Sequence, residues 1–352
     1  MRSHTKFLSS IAKRLDITRE EYERAEKITE SLAHHLSNDP RLSEHKQKLY
    51  MQGSFKLGTV VRPIADGSEY DVDLVCELSA DSKETISQDQ LKEIIGEALS
   101  RHSEYGKCFE LNKPSERCWT AKIDKKFKID IVPAIPNLEN DNEGILIQGK
   151  EYRWKETNPN GFYNWFQSIN MEYKSRLDAS VDVDNLEGMQ KSVLQQVVQT
   201  LKRLRDIHFE DDPKLKPSSI VITALAAKNY RGEANVYEAL HNIVKELRDY
   251  DGSQEISIGE NEENLADRLN KDAELRKSFC SWIEYVDERC SRLETIDSLE
   301  SLQEFSTLGF GHSLSNSVFQ EEDFGLKNKA VNIHYPEAKI IESEAPKPWV
   351  SR

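Results

Sequence analysis

Two acidic residues, one residue apart, are the first candidates for chemistry in this chain of 352 residues. Asp71 and Asp73 open the segment Asp71-Val-Asp-Leu-Val-Cys-Glu-Leu78, whose alternating apolar residues predict a strand. Successive strand side chains point to opposite faces, so both carboxylates lie on one face. Adjacent carboxylates generally raise each other's pKa unless a cation lies between them. A divalent metal ion explains the pair, and an edge strand carrying solvated acids is the alternative.

A glycine-serine pair precedes this strand, in the segment Met51-Gln-Gly-Ser-Phe-Lys-Leu-Gly-Thr59. Gly53 and Ser54 follow the apolar Tyr50 and Met51, and residues 55–57 are predicted to start a short helix. Such a turn can present backbone N–H groups to a phosphate. Phosphates often bind together with a divalent metal ion, so the turn is consistent with the metal interpretation of the two acids.

A third acid, Asp130, interrupts the otherwise apolar segment Ile129-Asp-Ile-Val132, a strand that we expect Pro133 to end. We predict that this strand forms a hairpin with residues 119–123. A buried acid needs a partner, and an ion pair of Asp130 with Lys122 or Lys128 is the purely structural alternative. If the two acidic strands are neighbours, three carboxylates converge. That set suits two Mg²⁺ ions that grip a triphosphate and promote in-line phosphoryl transfer.

Composition and charge exclude several classes of protein. The net charge of −14 and pI of about 5.3 disfavour binding of duplex nucleic acid. The five cysteines form no Cys-x-x-Cys pair, which argues against a zinc site and a disulfide framework. We find no signal-peptide pattern, and the longest aliphatic run, 220–227, is too short to span a bilayer. We therefore expect a cytoplasmic protein that does not act at a membrane.

Hydrophobic periodicity divides the chain into a mixed half and a helical half. Helices are predicted at 2–16, at 18–38 after a capping box at Thr18-Arg-Glu-Glu21, and at 89–102. A second hairpin is predicted at 145–155. The composition becomes helical near residue 157, which predicts two lobes with a ligand cleft between them. The domains are 1–157 with N-terminal scaffold helices, 158–300 as a helical nucleotide-binding unit, and a partly mobile segment at 301–352.

Together these motifs resemble the polymerase-β-like nucleotidyltransferases, through Gln52-Gly-Ser54, Asp71-Val-Asp73 and Asp130. Further segments are similar to the bacterial cGAS/DncV-like branch, the signal synthases of CBASS anti-phage defence. They are Lys202-Arg-Leu-Arg-Asp206, Lys216-Pro-Ser-Ser-Ile220, Thr223-Ala-Leu225 and Glu262-Glu-Asn-Leu-Ala-Asp-Arg268. The resemblance covers about residues 18–292. It implies an α+β fold, with a bilobal nucleotidyltransferase core of mixed sheet and helices and a C-terminal helical bundle.

The resemblance also implies roles for individual residues. Asp71, Asp73 and Asp130 would be catalytic and bind two Mg²⁺ ions, for which Mn²⁺ can substitute. Gly53 and Ser54 would hold the donor triphosphate, with Gln52 near a base or ribose. Lys202 would reach a phosphate and Ser219 would donate to the triphosphate.

The residues themselves support the last two roles more weakly. Lys202 lies on a helix whose apolar face places it near the rim, where a solvated lysine is the alternative. Ser218 and Ser219 follow Pro217 at a helix N-terminus, which favours phosphate, and ordinary N-capping is the alternative.

We therefore expect a cyclic oligonucleotide synthase, which joins NTPs into a cyclic di- or trinucleotide and releases pyrophosphate. The alternatives are a nucleotidyltransferase that tags RNA, a protein or a small molecule, and a non-catalytic nucleotide sensor. The expected partners are NTP substrates and a downstream effector activated by the cyclic nucleotide. Duplex DNA should not be required. A regulatory protein that binds the C-terminal tail, which ends at Pro348-Trp-Val-Ser-Arg352, is a further expected partner.

Overall fold

The computed structural model describes residues 3–64, 69–109, 117–139, 144–149, 153–178, 191–258 and 263–326, with side chains of the fifth range described to residue 172. The strands in these ranges are β1 (Gln47–Met51), β2 (Tyr70–Leu78), β3 (Trp119–Lys122), β4 (Phe127–Pro136), β5 (Ile145–Gln148) and β6 (Trp154–Thr157). The helices of the first half are α1 (Ser3–Leu15), α2 (Arg19–Ser37), α3 (Gly53–Leu57) and α4 (Gln88–Ser100). Those of the second half are α5 (Pro159–Asp178), α6 (Val193–His208), α7 (Ser219–Asn229), α8 (Val236–Leu247), α9 (Asp267–Lys271), α10 (Ala273–Thr295), α11 (Leu299–Phe310) and α12 (His312–Glu321).

One mixed sheet carries the acidic strands. Its order is β1-β2-β4-β5-β6, and β3 also pairs with β4. The β2 and β4 strands run parallel, whereas the other pairs are antiparallel. Strand β2 lies between β1 and β4, but β1 pairs only with its residues 74–78. At Asp71 and Asp73 the ladder partner is β4 alone, so the edge-strand alternative holds for this end of β2 on its β1 side. Both predicted hairpins, β3–β4 and β5–β6, are confirmed.

The prediction that Pro133 ends its strand is wrong, since β4 continues to Pro136. The outer edge of β4 pairs with β3 at residues 128–131 and with β5 at residues 134–136. Pro133 lies at the gap between these two partners, where a strand tolerates a residue without an N–H.

Two hydrophobic clusters account for most of the buried core. The sheet cluster joins α2 and α4 to one face of β2, formed by Val72, Leu74, Cys76 and Leu78 as their alternation predicts. The helical cluster contains α6, α7, α8 and α10, and also the two ends of the described chain. Phe7 of α1 packs against Phe305 and Phe310 of α11 and against Phe324. Residues 299–326 thus pack with the first helix, while residues 327–352 lie outside the described ranges.

Helix α6 attaches the helical half to the segment that follows the Gly-Ser turn. Gln195 donates through Nε2 to the Leu57 carbonyl at 2.9 Å, and Gln199 donates likewise to that of Val60 at 2.6 Å. Arg203 donates to the carbonyls of Arg62 and Phe310. Buried carbonyls need donors, and these side chains supply them from one helix.

The remaining helices follow their local signals. Thr18 and Glu21 form the predicted capping box of α2, and Gly311, at φ +89°, separates α11 from α12. No helix among the described residues is both long and apolar enough to cross a bilayer.

Gly96 provides a test of how α4 positions the sheet. A Cβ there would lie 2.4 Å from Cζ2 of Trp119, the first residue of β3. We predict that Gly96→Ala lowers the free energy of unfolding by about 1 kcal/mol or more, because overpacking outweighs the gain in helix propensity. Urea denaturation measures this change. Ser100→Ala in the same helix should change stability by less than about 0.5 kcal/mol, and a more stable Gly96→Ala protein would contradict the packing.

Candidate active site

The Gly-Ser turn lies against the acidic strand. The N–H of Gln52 donates to the Asp73 carbonyl at 2.8 Å, which fixes the start of α3 beside β2. Gly53 has φ +62°, and a Cβ there would lie 2.5 Å from an Asp73 carboxylate oxygen. Both the left-handed backbone and the close approach of the carboxylate therefore require glycine at this position.

The three predicted aspartates come together on adjacent strands. Asp73 is directly opposite Asp130 in the parallel β2–β4 register, and Asp71 is opposite Lys128. Asp71 and Asp73 line the large cleft described below. The side chain of Asp71 is the most exposed of the three, at 64%, whereas that of Asp130 is 18% exposed.

Asp130 is held by two neighbours. Thr120 of β3 donates to its Oδ1 at 2.5 Å, and the Lys128 ammonium donates to its Oδ2 at 2.8 Å. The same ammonium donates to Oδ1 of Asp71 at 3.2 Å. The ion pair of Asp130 with Lys128, one of the two partners that the sequence left open, is confirmed.

The protonation of Asp73 depends on its surroundings. Burial, followed by the charges of Asp130 and Asp71, raises the pKa of Asp73 to about 6, against the opposing charges of Lys128 and Lys202. Although burial opposes it, the hydrogen bond to Asp130 and the charge of Asp71 raise the pKa of Lys128. The cluster therefore has more negative charge than one lysine can balance.

The three carboxylates are chemically suited to a hard divalent cation, because carboxylate oxygens are the ligands that Mg²⁺ and Mn²⁺ prefer. A cation would also relieve the repulsion that raises the pKa of Asp73. In the part of the chain that the structure describes, no group of three or more His, Cys, Asp or Glu side chains is arranged as a ready metal site. Asp71 and Asp130 are directed instead at the Lys128 ammonium.

The sequence indicated a position for Lys202 near the rim of the cleft. In the structure Lys202 is instead buried, with 5% of its surface exposed. Its ammonium donates to the carbonyl and to the hydroxyl of Thr59, both at 3.1 Å. Burial, followed by the charge of the nearby Arg205, lowers the pKa of Lys202 to about 7, against the opposing charges of Asp206 and Asp73. The solvated-lysine alternative is therefore wrong, and Lys202 lines the cleft from the helical half.

The start of α7 forms a second polar wall of the cleft. The guanidinium of Arg205 donates to Ser219 Oγ at 2.9 Å and to the carbonyl of Pro217 at 3.1 Å. Because the Ser219 hydroxyl accepts there, its own hydrogen can be donated to a ligand. Ser218 occupies the N-cap position of α7, as the N-capping alternative predicts, although its side chain makes no capping hydrogen bond. Ser219 lines the cleft, whereas Ser218 is not among the lining residues.

These walls enclose a cleft of about 840 Å³. Gln52, Gly53 and Ser54 line it together with Asp71 and Asp73, whereas Asp130 is not among the lining residues. Its cationic lining residues are Lys56, Arg62, Lys202, Arg205 and Lys216. Lys216 and Arg205 both contact Asp206, at 2.5 Å and 2.7 Å. In the described part of the chain, six acidic side chains line the cleft as well, namely Glu69, Asp71, Asp73, Asp206, Glu210 and Glu263. The lining is therefore mixed in charge, and an anionic ligand would depend on local contacts with the five cations.

Sequence reasoning did not assign roles to Thr120, Thr59 or Arg205. The hairpin register could have identified Thr120, because pairing across Asp124-Lys-Lys126 places it opposite Asp130. Thr59 and Arg205 depend on contacts between distant segments, which no local pattern indicates.

Residues 1–170 match the family described as the Second Messenger Oligonucleotide or Dinucleotide Synthetase (SMODS) domain. The chain is 27% identical over 306 residues to the c-di-GMP synthase of Roseivirga ehrenbergii, which covers 83% of this chain and 80% of the relative.

The fold is similar to solved structures over most of the chain. The CD-NTase CdnG of Bradyrhizobium diazoefficiens, in complex with GTP, matches with a TM-score of 0.72 at 16% identity and covers 89% of this chain and 96% of CdnG. The cyclic AMP-GMP synthase DncV of Vibrio cholerae, in complex with a linear intermediate, matches with a TM-score of 0.65 at 16% identity and covers 87% of this chain and 94% of the DncV chain.

The buried position of Lys202 has a consequence for stability. Its folded-state pKa, about 7, lies below the ordinary value of 10.5, so between these pH values the unfolded chain binds a proton that the folded chain has released. We predict that the stability of the wild type relative to Lys202→Met rises with pH in this window, by up to about 1.4 kcal/mol per pH unit. Urea denaturation at pH 7, 8 and 9 measures the difference. Lys228→Met removes an exposed lysine of α7 and should give a flat difference, and a flat difference for Lys202→Met would contradict its burial.

Proposed function

We infer that this chain, a cGAS/DncV-like nucleotidyltransferase with an N-terminal SMODS domain, joins NTPs into a cyclic di- or trinucleotide and releases pyrophosphate. The observation that carries this proposal is the position of Asp71 and Asp73 on the wall of a cleft that also contains the Gly-Ser turn and five cationic side chains. A triphosphate needs such cations, and transfer of a nucleotidyl group needs the carboxylates beside them.

Asp71, Asp73 and Asp130 would hold two Mg²⁺ ions, or Mn²⁺ in their place. When bound, these ions supply charge neutralisation for the triphosphate and its leaving group, and they lower the pKa of the attacking hydroxyl. The raised pKa of Asp73 supports this proposal, because a site that keeps three acids close together without a second cation is electrostatically unfavourable.

The chain's own side chains would bind and orient the donor nucleotide. Gly53 and Ser54 would face the triphosphate from the sheet half. Lys202 and Ser219 would face it from the helical half, where Arg205 holds the Ser219 hydroxyl in place. Because these groups are fixed by both halves of the chain, they would align the reacting phosphate before the reaction begins.

Guanine nucleotides are the first substrates to test. The curated relative is named a c-di-GMP synthase, and CdnG was solved with GTP. DncV was solved with a linear pppA(3′,5′)pG intermediate. These relatives support a sequential scheme for this chain, in which one cleft makes a linear dinucleotide and then closes it.

Anti-phage signalling in a cytoplasmic setting, with an effector activated by the cyclic product, is the biological role that we propose. Duplex DNA should not stimulate the reaction, given the acidic surface. The proposed regulatory site at the C-terminal tail falls on residues 327–352, outside the described ranges.

The product distinguishes the candidate functions. Purified protein is incubated with an equal mixture of the four NTPs and Mg²⁺, treated with phosphatase, and analysed by mass spectrometry. A phosphatase-resistant cyclic product supports the synthase. A linear polymer or a nucleotidylated acceptor would support a tagging enzyme, and bound but unconverted NTP would support a sensor.

The double variant Asp71→Asn, Asp73→Asn tests the carboxylates. We predict that product formation falls by at least about a thousandfold, because the charges that organise the reaction are gone. The melting temperature should stay the same or rise, because the variant removes like charges that repel. Product formation is measured by mass spectrometry and melting by calorimetry. Retained activity would refute the assignment.

The turn glycine can be tested with a matched control. Gly53→Ala should abolish product formation, because its Cβ would displace the Asp73 carboxylate and because φ is +62°. Gly252→Ala imposes a similar strain at φ +78° far along the chain, next to Arg276 and Leu269. Both should lose about 1–2 kcal/mol of stability, but only Gly53→Ala should lose activity. Equal activity of the two variants would contradict the close approach of Gly53 to Asp73.

A further inference from the structure

Lys128 occupies a distinctive place among the three acids. It lies two residues before Asp130 on β4 and directly opposite Asp71 on β2, so its side chain shares their face of the sheet. Its ammonium contacts Asp71 at 3.2 Å and Asp130 at 2.8 Å. Only 28% of the side chain is exposed, so bulk water screens these two contacts incompletely.

The other lysines of this hairpin have ordinary partners. Lys126 pairs with Glu21 at 3.3 Å and Lys122 with Glu69 at 3.5 Å. In the described ranges, Lys128 is the cation whose ion pairs join two of the three proposed metal ligands. A solvated-face explanation therefore suits Lys122 and Lys126 but not Lys128.

We propose that Lys128 is a built-in counter-cation of the active site, which competes with the divalent ion for Asp71 and Asp130 and thereby sets the metal concentration that the enzyme needs. This inference rests on the proposed function, because it takes those two carboxylates as metal ligands.

The competition follows from elementary electrostatics. An ammonium and a divalent cation that share the same carboxylate oxygens repel each other at short range, and the site is partly buried. A metal ion must therefore displace the ammonium from at least one carboxylate before it gains that ligand. The flexible four-carbon stem of lysine allows this withdrawal without moving β4.

Thr120 makes the exchange feasible. Its hydroxyl holds Oδ1 of Asp130 independently of the lysine, whose bond is to Oδ2. Asp130 therefore keeps its orientation when Lys128 withdraws, and Oδ2 is the oxygen that becomes available. Without metal, Lys128 thus reduces the repulsion between the acids in the folded chain. The same ion pairs weaken the binding of a metal ion.

Binding of Mn²⁺ to nucleotide-free protein tests the proposal, with isothermal calorimetry as the readout. Lys128→Met and Lys128→Gln, which remove the charge, should lower the Kd for Mn²⁺ about tenfold relative to the wild type. Lys128→Arg retains a cation and should restore weak binding. Lys126→Met removes an equivalent charge from the same hairpin and should leave the Kd unchanged.

Thermal unfolding gives a second readout that a purely structural ion pair would not produce. Without metal, the neutral variants should melt below the wild type, and added Mn²⁺ should raise their melting temperature by more than that of the wild type. A folded Lys128→Met or Lys128→Gln protein that binds Mn²⁺ with wild-type or weaker affinity would overturn the competition and leave the metal site intact. If neither the wild type nor the variants bind Mn²⁺, the metal assignment itself fails, and the inference fails with it.

Discussion

The buried polar face of α6 is the constraint on which the site depends. Gln195, Gln199, Lys202 and Arg203 donate to main-chain carbonyls of residues 57–62, the segment that leaves the Gly-Ser turn. Extended chain buried between two lobes cannot satisfy its own carbonyls, and an apolar helix face would leave them unpaired. The same contacts therefore stabilise the fold and fix the distance between the sheet acids and the cations of the helical half.

Electrostatics explains the composition of the cleft. Three acids lie on two adjacent strands, and burial and mutual repulsion raise the pKa of Asp73 to about 6. Lys202 and Arg205 are placed nearby, within a chain that is strongly acidic overall. The proposed triphosphate with divalent cations would match both sets of charges, because its cations would meet the carboxylates and its oxygens would meet Lys202 and Arg205.

Sequence patterns predicted the parts of this site that depend on local periodicity. The alternation around Asp71 and Asp73, the capping box at Thr18 and both hairpins follow from side-chain spacing and turn residues. The burial of Lys202 could not be predicted, because its partner Thr59 lies far away in sequence. Likewise, the continuation of β4 through Pro133 depends on a gap between two partner strands, which is a property of the assembled sheet.

The packing of the first helix against the last described helices has a consequence for synthesis on the ribosome. The aromatic partners of Phe7 are Phe305, Phe310, Phe319 and Phe324, which are translated long after it. At roughly 5–20 residues per second, this delay lasts from about fifteen seconds to a minute. A nascent chain that already contains all three acids therefore lacks a finished helical half. A product truncated before residue 305 would for this reason lack the aromatic contacts that complete the helical half.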